Sequence, residues 1–579
     1  MKFTKKILFL LAFIQVTSTI CASTFNDRKQ YILDFYSTNY PDPKYNWGDD
    51  DIKTAMGYAL ARLKMKKETT RALDMIDRMQ NDDFDMFDRH QNIDAYFRYA
   101  DLYPEKLKEK VRKNMTDFNY TETGSTENHN LMFKTAGYLT ALAFPKWDEA
   151  QETMEHCRAE LIKIMENTVK YGIKEFDSPT YGTLYITCLL SLYDHSKDSE
   201  FKNRVQMTLE WHLLNFASEW LNGYFISSTL REYYFACSPQ AGSPYPIIGW
   251  LLFGGGPNPT LKQEIGNGEL LINNEGFFSV LVALTSYKLP EIIGAIASDR
   301  SNAHIHRESH DMNPYSQLNY PWGFKKYTYL NKSYGLASQW DGLSLGWSAQ
   351  MRRWKLTWES DAKASTFFTT HPCYYIDSEE TLIGATPREQ VLQHEGTLLA
   401  MYKIESGEPF PYVTGVVPVD AVKRMKEDPS GWIFFDGGSV FFGVKFFHPY
   451  YWDKDRYFRG IRHSMLTCNT RSTAVVVETC LPEEYPSFDA FTADILKKTK
   501  LDYEIKDVEY RIASYKSLKG DTLKIIYNYG RYINDEEVDY KQWPLIANSW
   551  VYQSVDGRFL NISYKGKNRV YDFQNWTIY

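Results

Sequence analysis

The stretch Glu127-Asn128-His129-Asn130 sets an amide beside an imidazole: one group can hold an anion by donated hydrogen bonds, and the other moves a proton near neutral pH. Ser125 or Thr126 ahead of it can cap a helix, Glu127 suits that helix's positive end, and an apolar run from Leu131 to Leu142 follows. A similar start recurs at Ser178-Pro179-Thr180-Tyr181, with a capping Ser, a Pro suited to the first helical position, and a Tyr that shares a helix face with Tyr185. Two such mouths can face one substrate.

Those mouths require two helices that run the same way. From Asp49 to about Ala217 apolar residues recur every three and four positions, which predicts helices near 51–64, 69–79, 86–99, 104–114, 126–143, 148–170, 178–194 and 199–219. Short joins such as Tyr103-Pro104, Phe144-Pro145 and Tyr171-Gly172 stack consecutive helices as antiparallel hairpins. Repeated around a circle, such hairpins make an α/α toroid in which alternate helices line the inside and start at one end. Helices 126–143 and 178–194 are then both inner, and Asn128, His129 and Tyr181 meet at one mouth. A further helical stretch is expected near 276–287.

After about residue 300 the pattern changes to short β-branched and aromatic runs, including Lys326–Tyr329, Val413–Val417, Val440–Val444, Thr473–Val477 and Leu523–Tyr527, separated by turns such as Asp436-Gly437-Gly438 and Asp556-Gly557. The expected fold class is therefore α+β and multidomain. A signal segment occupies 1–23, an α/α toroid 24–300, and an antiparallel β-sheet sandwich 301–579.

Lys2, Lys5 and Lys6 precede the apolar run Ile7–Ile14, and the small Ala22 and Ser23 follow, the layout of a cleaved secretory signal. A periplasmic or secreted product is expected, with no membrane span. The formal net charge of −7 gives no reason to expect nucleic acid as a partner. Cys157, Cys188, Cys237, Cys373, Cys468 and Cys480 have neither metal spacing nor the density of a disulfide scaffold; Cys468 and Cys480 can pair across strands or stay as buried thiols.

Glu127-Asn128-His129-Asn130 with Tyr181 one hairpin later resembles the signature of the toroidal polysaccharide lyases of the alginate lyase, heparinase and chondroitin lyase type. The wider resemblance takes in Glu127–Leu139, Glu175–Tyr181, Tyr327–Tyr329 and Tyr334–Gln339. Glu127 before the pair departs from the alginate lyase pattern. The resemblance implies β-elimination at a uronic acid, which needs a neutralised C6 carboxylate, removal of the C5 proton and protonation of the leaving O4. Asn128 can donate to the carboxylate, His129 can act as base, and Tyr181 as acid or as both acid and base. Substrate contacts are expected from Glu127, Tyr185, Arg231, Tyr233 and Tyr234. Arg231 can clamp a carboxylate or pair with a structural Glu, and the tyrosines can stack on a sugar face. The partner implied is an acidic polysaccharide or oligosaccharide.

Two other classes stay open: a glycoside hydrolase using carboxylates among Glu127, Glu175 and Asp177, and a non-catalytic glycan-binding protein using its aromatic residues as platforms. His90 reads as a structural histidine. His304-Ile305-His306 directs two imidazoles to one strand face, with His310 nearby, yet no Cys or clear carboxylate completes a ligand set, so no metal is assigned. Gly254-Gly255-Gly256 lacks the Lys-Ser/Thr of a phosphate loop, no nucleophile elbow is present, and no cofactor is expected.

Overall fold

The computed structural model describes residues 24–40, 52–81, 83–122, 124, 126–265, 269–272, 278–310, 323–340, 351–372, 386, 388–458, 460–506 and 510–579. The signal segment, Ser125 and Cys373 lie outside the described residues.

Among the described residues, twelve α-helices come before the main sheets: α1 Phe25–Thr38, α2 Ile52–Met65, α3 Thr69–Met79, α4 Met86–Tyr99, α5 Glu105–Thr116, α6 Glu127–Ala143, α7 Ala150–Tyr171, α8 Gly182–His195, α9 Ser199–Ser218, α10 Pro244–Phe253, α11 Phe278–Leu284 and α12 Glu291–Ser298. Burial sorts them. In α5 the apolar residues Leu107, Val111 and Met115 form one buried stripe, whereas every residue of α8 from Gly182 to Leu192 is buried. A helix buried all round must be surrounded by others, and the packing bears this out: α2 lies against α4, α4 against α6, α6 against α8, and α11 closes the ring by touching both α8 and α2. Helices α3, α5, α7 and α9 pack outside their inner partners. The toroid read from the periodicity is therefore a closed inner ring.

Two local details differ from the sequence reading. Helix α1 carries a full capping box from Thr24 and Asp27 and lies ahead of the first helix expected. Helix α8 starts at Gly182 rather than Ser178; Ser178 Oγ accepts from Tyr181 N at 2.9 Å, so it caps a preceding turn, and Tyr181 becomes the helix's own capping residue.

Two short hairpins interrupt the helical half, β1 (Trp220–Leu221) with β2 (Tyr224–Phe225) and β3 (Lys262–Ile265) with β4 (Glu269–Ile272). The main sheets begin with β5 (His304–His310), followed by β6 (Phe324–Leu330), β7 (Tyr334–Trp340), β8 (Trp354–Trp358), β9 (Thr366–Thr370), β10 (Glu389–His394) and β11 (Thr397–Lys403). Strands β5 to β9 form the middle of a thirteen-stranded antiparallel sheet, and β10 and β11 belong to a six-stranded sheet. The two bury a shared core that includes Leu336, Trp354, Leu356, Phe367, Val391, Leu398 and Phe442. A five-stranded sheet covers the outer side of the six-stranded one with Ala513, Tyr515, Leu523 and Ile525.

The seam between toroid and sheet is polar. In the β5–β6 register Glu308 lies opposite Lys326 and His306 opposite Thr328, and Gln339 of β7 lies opposite Lys326. Lys326 of this row meets Asp177 and Glu219 from the helical half, and Lys355 of β8 meets Glu232. The backbones also approach closely: at Gly172, the end of α7 with φ +75°, an added Cβ would stand 2.6 Å from the Ser309 carbonyl oxygen. Cys157, Cys188, Cys237, Cys468 and Cys480 are all buried free thiols, so Cys468 and Cys480 do not pair.

Candidate functional site

At the mouth of α6, Thr126 caps the helix by accepting from His129 N at 3.4 Å. Asn128 and His129 therefore sit in the first turn, as the spacing predicts. Glu127 Oε2 accepts from the backbone N–H of Lys174 at 2.7 Å and of Glu175 at 3.2 Å, which ties the start of α6 to the segment leading into α8. Burial, with the Glu175 carboxylate close by, pushes the Glu127 carboxyl up to about 7.

Asn128 is fully buried, and its use differs from the expectation. Both its backbone N–H and its side-chain Nδ2 donate to Glu175 Oε2, leaving Oδ1 buried without a partner. The amide reaches a carboxylate, but an internal one. Glu175 Oε1 in turn lies 3.1 Å from Arg231 Nη1, so the structural ion pair weighed for Arg231 is present. Arg231 also lies over the Tyr181 ring, 4.5 Å from its centroid, and Tyr181 meets Tyr233 edge to face at 6.0 Å. Asn128, Glu175, Arg231, Tyr181 and Tyr233 thus form one connected group across the mouths of α6 and α8. His129 is half-buried beside it, with its ring edge-on to Phe87 of α4 at 6.0 Å.

Burial raises the Tyr181 phenol well above its ordinary value, reinforced by Tyr233 and only partly offset by Arg231. Tyr181 is then a neutral hydroxyl at physiological pH, suited to giving a proton. Two non-glycine residues at this mouth are left-handed, Asp177 at φ +51° and Arg231 at φ +59°. Backbone in that region is costly and collects at functional sites. The Arg231 turn is held by Ser178 Oγ donating to Arg231 O at 2.7 Å.

Two expected substrate contacts are buried. Tyr185, 3% exposed, is one turn into α8 and stacks on His212, and burial with the nearby Glu127 and Glu175 carboxylates holds its phenol well above the ordinary value; Tyr234 is 2% exposed. Residue adjacency did not reveal which of the two tyrosines lines the mouth. His90 is a core histidine, held to Ser191 Oγ at 3.1 Å and pushed down to about 4 by burial.

The carboxylates of the hydrolase reading are each engaged. Asp177 accepts from Ser227 Oγ at 2.8 Å and from Lys326 Nζ. Lys326 Nζ also lies 2.9 Å from Glu219 Oε2 and 3.1 Å from Glu308 Oε2. Glu308 further binds His306 and, at 2.6 Å, His310. Burial alone would raise the Glu308 carboxyl, but Lys326 and the histidines overcome this and hold it well below its ordinary value. Asp177, Glu308 and His310 are close enough to share one cation, and the Lys326 ammonium already contacts both carboxylates. The carboxylate missed beside the histidine cluster is Glu308, which the two-residue strand period puts on the same face as His306 and His310. His304 binds the Ser218 carbonyl at 3.1 Å.

Gln339 was also missed. It is 2% exposed, stands opposite Lys326 in the register, and leaves both ends of its amide without a partner. Buried amides are ordinarily satisfied, which marks Gln339 as a group able to bind a ligand.

No family model matches the sequence, and no curated protein matches it. Among solved structures, the chain is similar to a crystal structure of heparinase III at 10% identity, covering 88% of this chain and 92% of that one with a TM-score of 0.40. It is also similar to a heparan sulfate lyase from Pedobacter heparinus at 9% identity, covering 87% and 89% with a TM-score of 0.34. Likenesses this loose transfer no residue and no activity, and the chemistry of the mouth rests on its own geometry.

Proposed function

We propose that this protein is an exported polysaccharide lyase that breaks the glycosidic bond beside a uronic acid by β-elimination. The observation that supports it best is Arg231, whose guanidinium lies over the Tyr181 ring and pairs with the Glu175 that holds Asn128. A cation and a neutral phenol at one helix mouth suit a sugar whose carboxylate must be neutralised while its O4 is protonated. In this reading Arg231 and the positive ends of α6 and α8 hold the carboxylate, and Asn128 fixes Glu175 so that the Arg231 fork stays in position. His129 takes the C5 proton, the C–H electrons form the C4–C5 double bond, and O4 leaves with the proton of Tyr181. Tyr181, a neutral hydroxyl at physiological pH, serves as the acid in this reading, with His129 as the base.

The test is a panel of uronic-acid polysaccharides followed by the ultraviolet absorbance of an unsaturated product. His129→Ala and Tyr181→Phe are each expected to lower turnover by about 100-fold or more, since each deletes a proton-transfer group, with the melting temperature unchanged. Saturated reducing sugars carrying solvent oxygen would replace this reading with the hydrolase.

One observation favours that second reading: a carboxyl at about 7, as in Glu127, is protonated often enough at neutral pH to serve as a general acid. Glu127→Gln separates the two, because a hydrolase using Glu127 loses its activity, while the lyase keeps the backbone contacts through the Gln carbonyl.

A further inference from the structure

At the open edge of the sandwich a cavity of about 410 Å³ lies between two edge strands, Arg424–Glu427 of the six-stranded sheet and Tyr451–Phe458 of the thirteen-stranded one. Its volume falls within the roughly 300–1,000 Å³ typical of small-molecule sites. Both edges are guarded against a further strand: Arg424, Lys426 and Glu427 charge the first, and a bulge between Asp453 and Arg456 bends the second. The cavity therefore suits a small ligand and not an added strand.

Its floor is apolar. Val417, Val422 and Phe435 form it, and Met425 stands beside them 46% exposed. Trp452 is half-buried, packing on the sandwich core while it lines the cavity. Its indole N–H donates to Glu427 Oε1 at 2.6 Å, and the Tyr450 hydroxyl donates to Oε2 of the same carboxylate at 3.0 Å, so one side chain locks two rings. A ring already locked loses little freedom when a ligand settles on it.

The charged groups around the cavity are largely answered within the protein. Arg424 pairs with Asp489 at 3.0 Å, Glu427 holds the two rings, and Asp455 accepts from Ser464 Oγ at 2.6 Å with Arg462 3.7 Å away. Lys423 and Asp453 remain in the lining, one of each sign. Such a balance does not select an ion, whereas a sugar hydroxyl can accept from an ammonium and donate to a carboxylate. An indole face takes the apolar C–H face of a pyranose ring. We propose that this cavity is a glycan-binding site that takes one neutral sugar residue of a chain. It shares no residue with the helix mouths, and its ligand class follows from its own walls and not from the reaction at the mouth.

The experiment titrates the full-length protein by calorimetry with β-1,4-linked tetrasaccharides of glucose, of mannose and of galactose. Saturable binding of at least one is expected, at least tenfold weaker in Trp452→Ala and in Met425→Asp, and not displaced by a tenfold excess of β-1,4-linked tetraglucuronate. Met425 is exposed on an edge strand, so Met425→Asp keeps the test valid should Trp452→Ala disturb the core. Absence of saturable binding for every neutral tetrasaccharide, an unchanged affinity in either variant, or displacement by tetraglucuronate would overturn the site. A lyase that fails its own product test leaves these outcomes untouched.

Discussion

At the residue scale, the mouth of the toroid binds its own carboxylate before any substrate arrives. Glu175 occupies the donors of Asn128 and one arm of Arg231, so Glu175→Gln should release part of the Arg231 charge. We expect this variant to bind an acidic oligosaccharide more tightly but to turn over more slowly, because the Arg231 fork loses its charged anchor; KM and turnover number measured separately check this. The Asn128-His129 pair was legible because a cap, a charge and an apolar run mark a helix start within a few residues. The role of Asn128 was not, since its partner is 47 positions away and no local pattern points to Glu175. Tyr233 and Tyr234 illustrate the same limit: Tyr233 meets Tyr181 edge to face while its neighbour Tyr234 is buried, a difference that adjacency in the sequence does not show.

At the scale of elements, periodicity of three and four placed the inner and outer helices because burial imposes it. What periodicity does not show is how closely two helices approach. Helix α6 meets α7 at Gly137, where an added Cβ would stand 2.6 Å from Cys157 Sγ and 2.8 Å from the Tyr120 ring. Gly137→Ala would gain about 1 kcal/mol of helix propensity. Overpacking costs roughly 1–3 kcal/mol, so net destabilisation is expected, readable as a lower urea midpoint. On the strand side, alternation identified the faces of β5, but Glu308 was passed over because its meaning comes from Lys326, on the next strand, and from Asp177, 149 residues from that lysine.

At the scale of the whole molecule, buried ionisable groups set how stability responds to acid. Burial depresses His90, His212, His304 and His463 to about 4. Each is neutral when folded and takes a proton near 6.5 when unfolded, so the stability they contribute is complete above about 6.5 and is lost as pH falls toward 4. Glu127 and Glu478, both pushed up to about 7, act the other way and favour the folded state below that value. Glu219, Glu359 and Glu389 are raised by burial as well, so the histidine contribution is read by difference: His463→Gln should lower the slope of the denaturation midpoint against pH between 4.5 and 6.5 relative to the unsubstituted protein. The central charge cluster makes a stronger demand. Lys326→Met would leave Asp177, Glu219 and Glu308 without their shared ammonium, at a cost of about 3–5 kcal/mol for a broken buried pair, seen as a large fall in melting temperature.

That cluster bears on how the chain can be divided. Lys326 and Lys355 both come from the sheets, while Asp177, Glu219 and Glu232, which they neutralise, come from the helical half. Cutting between α12 and β5 would leave Asp177, Glu219 and Glu232 on one fragment and Lys326 and Lys355 on the other, each without partners it has in a buried seam. Neither piece is a module that could be shuffled onto another protein; synthesised alone, each should stay misfolded until the other is supplied, and the gene can be split there only if both products are made together.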